Sequence, residues 1–271
     1  MKIGSVNIEK GGTGKTTTTF NDGEYLALDS KVLLIDQDKS CNLSSRYLMS
    51  DKYDLGLIRP ENRIGNLYSG GDLVPIKIHD NLDLIAGSPN LEEIEKDITP
   101  KPNNRLILFA WIRDNYEELS KKYDYILIDT HNDTSIITQN AWAVSDVVFG
   151  VSDPSMDGFL AIQKLDYDLQ KLKQELIEVI SKESYVTAEY KFVGNKIEHN
   201  TTSSREFLEM VEAEEKYLGS FAKKELLNSS NLEMTPIVEF AKDPKIFNKH
   251  KEFFDNTFTL YKKMKETLDN H

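Results

Sequence analysis

Across 271 residues, 45 Asp and Glu outweigh 33 Lys and Arg, giving a formal net charge of -12 and a pI near 5.0. This excludes a binder whose whole surface is basic and leaves room only for a local, salt-sensitive basic patch. No apolar run approaches the roughly 20 residues of a membrane span, no secretory layout opens the sequence, and the single cysteine, Cys41, excludes an internal disulfide framework or a CxxC site, so one cytoplasmic α/β domain over 1–271 is the expectation.

The first element is an extended apolar run at 3–8, and it leads into Lys10-Gly11-Gly12-Thr13-Gly14-Lys15-Thr16-Thr17. This composition reads as a phosphate loop. Glycines open backbone conformations closed to other residues, so successive N–H groups can turn inward around a phosphate. A helix over 17–28 adds the positive end of its dipole. Lys15 then reaches the β- and γ-phosphates of ATP, or the β-phosphate of ADP, and the Thr16 hydroxyl takes one position on Mg²⁺. Against the G-x-x-x-x-G-K-[ST] pattern the loop is a shortened variant with an additional lysine, Lys10.

Residues 31–36 read as a buried parallel strand that delivers Asp36 and Asp38 to the carboxyl edge of the sheet, where ligands of open α/β sheets collect. Two acids at this spacing can face one Mg²⁺ and one water; capping of the next helix is the alternative for Asp38. Residues 50–73 read as loops and short helices, 81–88 as a strand, and the segment from Asn90 as an acid-rich helix start. A helix is expected over 104–120. A second buried strand over 123–130 ends in Asp129, a candidate to hold the Mg²⁺ hydration shell. His131 beyond it is a polar loop residue in preference to a general base. A third central strand spans 144–151 and is followed by a helix over 157–176. The next strand, 190–197, carries Asn195 near its end. A helix opens at Thr201 with Arg205 in its first turn. A closing amphipathic helix is expected over about 244–268.

The phosphate loop, the Asp36/Asp38 pair and Asp129 resemble the deviant Walker A ATPases of the ParA/MinD family, ParA/Soj-type partition ATPases most of all, and element order follows that family from residue 2 to about 250. The resemblance implies a doubly wound, mainly parallel sheet flanked by helices. It implies an ATP-sandwich homodimer in which Lys10 enters the partner's site, Asp38 orients the attacking water, and Asp36 supports the metal. By the same resemblance Gly11, Gly12, Thr13, Gly14, Lys15, Thr16 and Thr17 cradle the nucleotide, Asn195 reads adenine, and Arg205 touches non-specific DNA; Lys223, Lys224, Lys242, Lys245, Lys249 and Lys251 are further candidates. For Asn195 the plain alternative is a turn residue, and for Arg205 a solvated one.

The chain also departs from the family. Lys39 and Cys41 replace a proline and a glycine after Asp38, and His131-Asn132-Asp133 replaces two prolines after Asp129, which should leave that loop freer. The implied function is a bacterial, nucleoid-associated partition ATPase, slow alone and stimulated by a ParB-like centromere-binding protein. The rivals are a MinD-like or cargo-positioning ATPase and a nucleotide-binding adaptor with weak hydrolysis. The closing helix ends in acidic and polar residues, which favours core packing or dimer support over a lipid anchor. One cysteine disfavours an intersubunit metal cluster.

Overall fold

The computed structural model describes residues 1–48, 58–198 and 200–271. The strands are β1 (Lys2–Asn7), β2 (Val32–Gln37), β3 (Ile76–His79), β4 (Leu82–Ile85), β5 (Tyr125–Thr130), β6 (Val147–Ser152), β7 (Glu189–Ile197) and β8 (Tyr217–Ala222). They form one sheet in the order β3-β4-β2-β5-β1-β6-β7-β8. Every pairing is parallel except β3 with β4. Strands β2, β5 and β6 bury every residue, as parallel strands do when helices cover both faces.

The helices are α1 (Lys15–Leu26), α2 (Asn42–Leu48), α3 (Ile64–Tyr68), α4 (Leu91–Ile98), α5 (Ile107–Asp114), α6 (Tyr116–Lys122), α7 (Ile136–Val144), α8 (Met156–Glu175), α9 (Thr202–Val211), α10 (Glu225–Glu233), α11 (Ile237–Phe240), α12 (Pro244–Lys249) and α13 (Lys251–Asp269). Successive strand residues alternate between the two faces. Leu34, Leu127 and Phe149 join Phe20 of α1 and Tyr261, Met264 and Leu268 of α13 on one face. Leu33, Ile126 and Ile128 meet Leu108 and Trp111 of α5 on the other, where Val148 packs with Ile162 and Leu165 of α8. The closing helix is therefore core, and among the described residues no helix is long and apolar enough to cross a membrane.

Several boundaries differ from expectation for local reasons. The helix expected over 104–120 breaks at Asn115, whose side-chain amide donates to the Trp111 carbonyl at 2.9 Å and competes with the helical ladder. The closing helix breaks at His250, which leaves helical geometry at φ -123° and ψ 28°. Edge strands β3 and β8 and helix α10 were not expected: β3 has four residues, and β8 shifts its register with β7 at Gly219, which has φ 143°. The expectation for 50–73 falls partly on 50–57, outside the described residues; beyond them lie a 3-10 turn, Pro60–Asn62, and α3.

Candidate nucleotide site

Strand β1 lies centrally, and the chain leaves its carboxyl end through the glycine-rich loop. Gly12 and Gly14 take φ values of 74° and 102°, the left-handed region that glycine enters at least cost. Helix α1 then starts at Lys15, where its dipole is needed, because the turn at Gly14 feeds directly into helical backbone. The Lys15 ammonium is buried, at long distances of 3.4 and 3.5 Å from the Ile8 and Lys10 carbonyls. Burial lowers its pKa, and the charges of Asp129, Asp38 and Asp133 oppose that shift. A buried cation with weak neutral partners is suited to receive an anion.

The loop is gripped from β7. Asn195 Nδ2 donates to the Thr13 carbonyl at 2.6 Å, and Asn195 Oδ1 accepts from the Lys196 N–H at 2.8 Å. Lys196, at a left-handed φ of 58°, donates its ammonium to the Gly12 carbonyl at 2.7 Å. A Cβ on Gly14 would lie 2.2 Å from Asn195 Nδ2, so the asparagine and the glycine fit as a pair. Asn195 stands beside the phosphate loop, its amide nitrogen bonded to that loop and its amide oxygen to the backbone of β7.

Asp36 and Asp129 are register partners on β2 and β5. Asp36 Oδ2 accepts from the Ser44 N–H and hydroxyl at 2.8 and 2.7 Å, and Oδ1 accepts from the Asp38 N–H at 3.1 Å. Burial pushes its pKa up to about 6 despite these bonds. Asp129 Oδ1 accepts from the Thr19 hydroxyl at 3.1 Å, whereas its Oδ2 is buried without a partner among the described residues. Burial and the charge of Asp36 raise the Asp129 pKa to about 7, and the Thr16 side chain opposes the rise. An orphaned carboxylate oxygen beside a threonine hydroxyl is the donor set a hard divalent cation needs from the protein. Among the described residues no group of three or more His, Cys, Asp and Glu side chains is arranged to hold a metal. That fits Mg²⁺, which takes one or two protein oxygens and fills its octahedron with phosphate and water.

Asp38 is buried beside Asp36, and its Oδ1 accepts from the Ser40 N–H at 2.8 Å. The turn that follows places Cys41 at φ 54°, the conformation the resemblance assigns to glycine. Cys41→Gly is expected to stabilise the fold by about 1 kcal/mol by relieving this strain, measured by urea unfolding. Burial pushes the Cys41 thiol up to about 12, so it should alkylate slowly in the folded state. Past Asp129, the loop lacks prolines but is pinned by other means. Asp133 Oδ1 accepts from the Thr138 hydroxyl at 2.8 Å and the Ser135 N–H at 3.1 Å, and Oδ2 meets His131 Nδ1 at 2.9 Å. Asn7 Nδ2 donates to the His131 carbonyl.

Lys10 lies at the loop's outer side, its ammonium donating to Asp153 Oδ1 at 2.6 Å and Ser155 Oγ at 2.7 Å. A cleft of about 380 Å³ opens beside the loop, lined by Gly14, Thr17, Asn195, Lys196, Asn228 and Asn231 among others. A second cleft of about 270 Å³, between β8 and α13, carries none of these groups. Arg205 does not line this cleft and is exposed in the first turn of α9. Sequence reasoning missed Ser44, Arg46, Lys196 and Asn231. None carries a motif, and each acts on a residue set by the fold.

The family described as an AAA domain matches residues 1–182. The virulence plasmid ParA family protein pGP5-D of Chlamydia psittaci is 28% identical over 245 residues, covering 81% of this chain and 89% of that one. The chromosome-partitioning ATPase Soj of Treponema pallidum is 30% identical over 167 residues, 61% of each chain. Among solved structures, a plasmid partition protein of Borrelia burgdorferi bound to AMPPNP superposes with a TM-score of 0.74 at 20% identity, covering 95% of this chain and 98% of that one. A McdA–ATP complex from Cyanothece gives 0.78 at 17% identity over 99% and 96% of the two chains. These likenesses extend over the eight-stranded, mainly parallel architecture described above, and the chain belongs to the ParA/MinD-type AAA-domain family of P-loop ATPases.

Proposed function

We propose that the protein is a partition ATPase: with Mg·ATP it forms a sandwich homodimer that holds DNA non-specifically, and hydrolysis, slow in isolation, releases it when a ParB-like centromere-binding protein engages. The observation that carries this reading is the arrangement at the carboxyl edge of the sheet. Lys15 is buried among Asp38, Asp129 and Asp133 while Lys10 stands at the loop's outer side. Lys15, Thr16 and the loop from Gly11 to Thr17 hold the phosphates, and Thr16 and Asp129 hold Mg²⁺. Asp36 supports the metal indirectly, by fixing the turn that carries Asp38. Asp38 orients the attacking water. The bound ion supplies charge neutralisation at the β- and γ-phosphates.

Lys10 exchanges Asp153 and Ser155 for the partner's nucleotide. Lys10→Ala is therefore expected to bind ATP as a monomer while losing the ATP dimer, and an unchanged dimer in light scattering would refute the cross-subunit role. For DNA, Arg205 is one contact and a lysine group is the larger one. Among the described residues Lys224, Lys245, Lys249 and Lys251 have no acidic partner, whereas Lys223 and Lys242 pair with Glu198 and Glu239. Slight desolvation, together with the charges of Lys249 and Lys224, lowers the His250 pKa, so Lys224 of the segment before α10 lies near Lys249 at the α12–α13 junction. Phosphate-backbone contacts of this kind give sequence-independent, salt-sensitive binding.

The test is retention on non-specific duplex DNA at low salt with ATP, with ADP and without nucleotide. ATP-dependent retention that weakens in Arg205→Ala and fails in Lys245→Glu/Lys249→Glu supports the reading. An ATP dimer that ignores DNA would favour a protein cargo, and absence of any ATP-dependent state would favour an adaptor.

A further inference from the structure

We propose that Asn231 reads the nucleoside end of the nucleotide, and that Thr17 holds it in reserve until a phosphate arrives. The proposal rests on the nucleotide reading above. Thr17 lies in the first turn of α1, directly after the phosphate loop. Its hydroxyl has one hydrogen and two lone pairs. The hydrogen goes to Asn231 Oδ1 at 3.1 Å, and the oxygen accepts from Arg46 Nη2, also at 3.1 Å. The guanidinium of Arg46 is itself fixed, its carbon 4.9 Å from the centroid of the Phe20 ring.

A guanidinium only donates, so Arg46 sets the polarity of the Thr17 hydroxyl. The hydrogen must leave on the side away from Arg46, and there two acceptors compete for it. One is the amide oxygen of Asn231. The other is any phosphate oxygen brought to the start of α1. Capture of the hydrogen by phosphate releases Asn231 Oδ1 into the cleft of about 380 Å³ that Asn231 lines together with Gly14, Thr17 and Asn228. A freed amide oxygen in that position, half-buried at the wall of the cleft, can accept from an amine of the base or a hydroxyl of the ribose.

Asn195 is another amide in the same cleft, and both ends of it are already committed, to the Thr13 carbonyl and the Lys196 N–H. The two asparagines thus divide the work. Asn195 shapes the phosphate loop, and Asn231 answers for what lies beyond the phosphates.

The experiment is calorimetric titration of wild type, Asn231→Ala and Asn231→Asp with Mg·ATP and with Mg·tripolyphosphate, a probe that has the phosphates and no nucleoside. Wild type should prefer ATP. Asn231→Ala should lose about tenfold of that preference, the worth of one hydrogen bond to a matched group, while binding tripolyphosphate as tightly or a few-fold tighter because the competitor is gone. Asn231→Asp keeps an acceptor on Thr17, now charged, and should weaken tripolyphosphate by about tenfold, a change of opposite sign. Equal loss of ATP and tripolyphosphate in Asn231→Ala, or an unchanged ATP preference, would overturn the assignment. A wild type that binds tripolyphosphate but shows no preference for ATP would also overturn it, and one that binds neither would remove the nucleotide reading as well.

Discussion

Lys15→Ala is expected to lower kcat/KM for ATP by at least about 100-fold, the scale of removing one preorganised electrostatic contact to a transferring phosphoryl group. The expectation follows from where the ammonium sits. It is buried at the start of α1 with only two distant carbonyls as partners among the described residues, and three carboxylates supply the field that keeps it charged. Alanine removes the cation and leaves Asp129 and Asp38 facing an incoming triphosphate with less compensation. Fluorescent-nucleotide titration and phosphate release measured together would check this. Tight binding with turnover near wild type would contradict the loop assignment. The fold should survive, because Lys15 makes no short hydrogen bond.

Asp22→Asn should have the largest effect on stability. Asp22 lies on α1 at 1% exposure, and neither carboxylate oxygen has a hydrogen-bond partner among the described residues. Burial alone pushes its pKa up to about 8. Linkage sets the sign: above about pH 4 the unfolded chain ionises this group while the folded chain keeps it protonated up to about pH 8. The unfolded state therefore binds fewer protons, and stability falls as pH rises through that window. Each tenfold difference in proton affinity between the folded and unfolded chains is worth about 1.4 kcal/mol, so the cost near neutral pH is roughly 3–5 kcal/mol. Asparagine carries no charge to desolvate, so Asp22→Asn should gain several kcal/mol at about pH 7.5, on the order of 5–10 °C in Tm. Near pH 4 the two proteins should melt together. A difference independent of pH, or none, would contradict the burial argument.

The parts of this molecule that could be read from its sequence are those where chemistry restricts residue type locally. Left-handed backbone beside a phosphate demands glycine, and Gly12 and Gly14 take that conformation. Strands covered on both faces demand unbroken apolar runs, which placed β2 and β5 and so brought Asp36 and Asp129 to one edge. Contacts between distant segments left no such mark. The Thr17–Asn231 bond spans 214 positions and Asn195–Thr13 spans 182, and an isolated asparagine carries no signal of what it will meet. Edge strands failed for a different reason. A four-residue strand such as β3, half-buried and paired on one side, has too short a period to stand out from a loop. Asn115 and His250 broke helices whose apolar pattern continues past them, because periodicity records burial and not the path of backbone hydrogen bonds.

The most direct test of the central claim is light scattering of Asp38→Ala, in which ATP should persist, with Mg·ATP and with Mg·ADP. With ATP the mass should double from 31.0 kDa, and with ADP it should remain that of one chain. A single-chain mass in both nucleotides, with ATP shown to be bound, would contradict the ATP-driven dimer on which the partition reading depends.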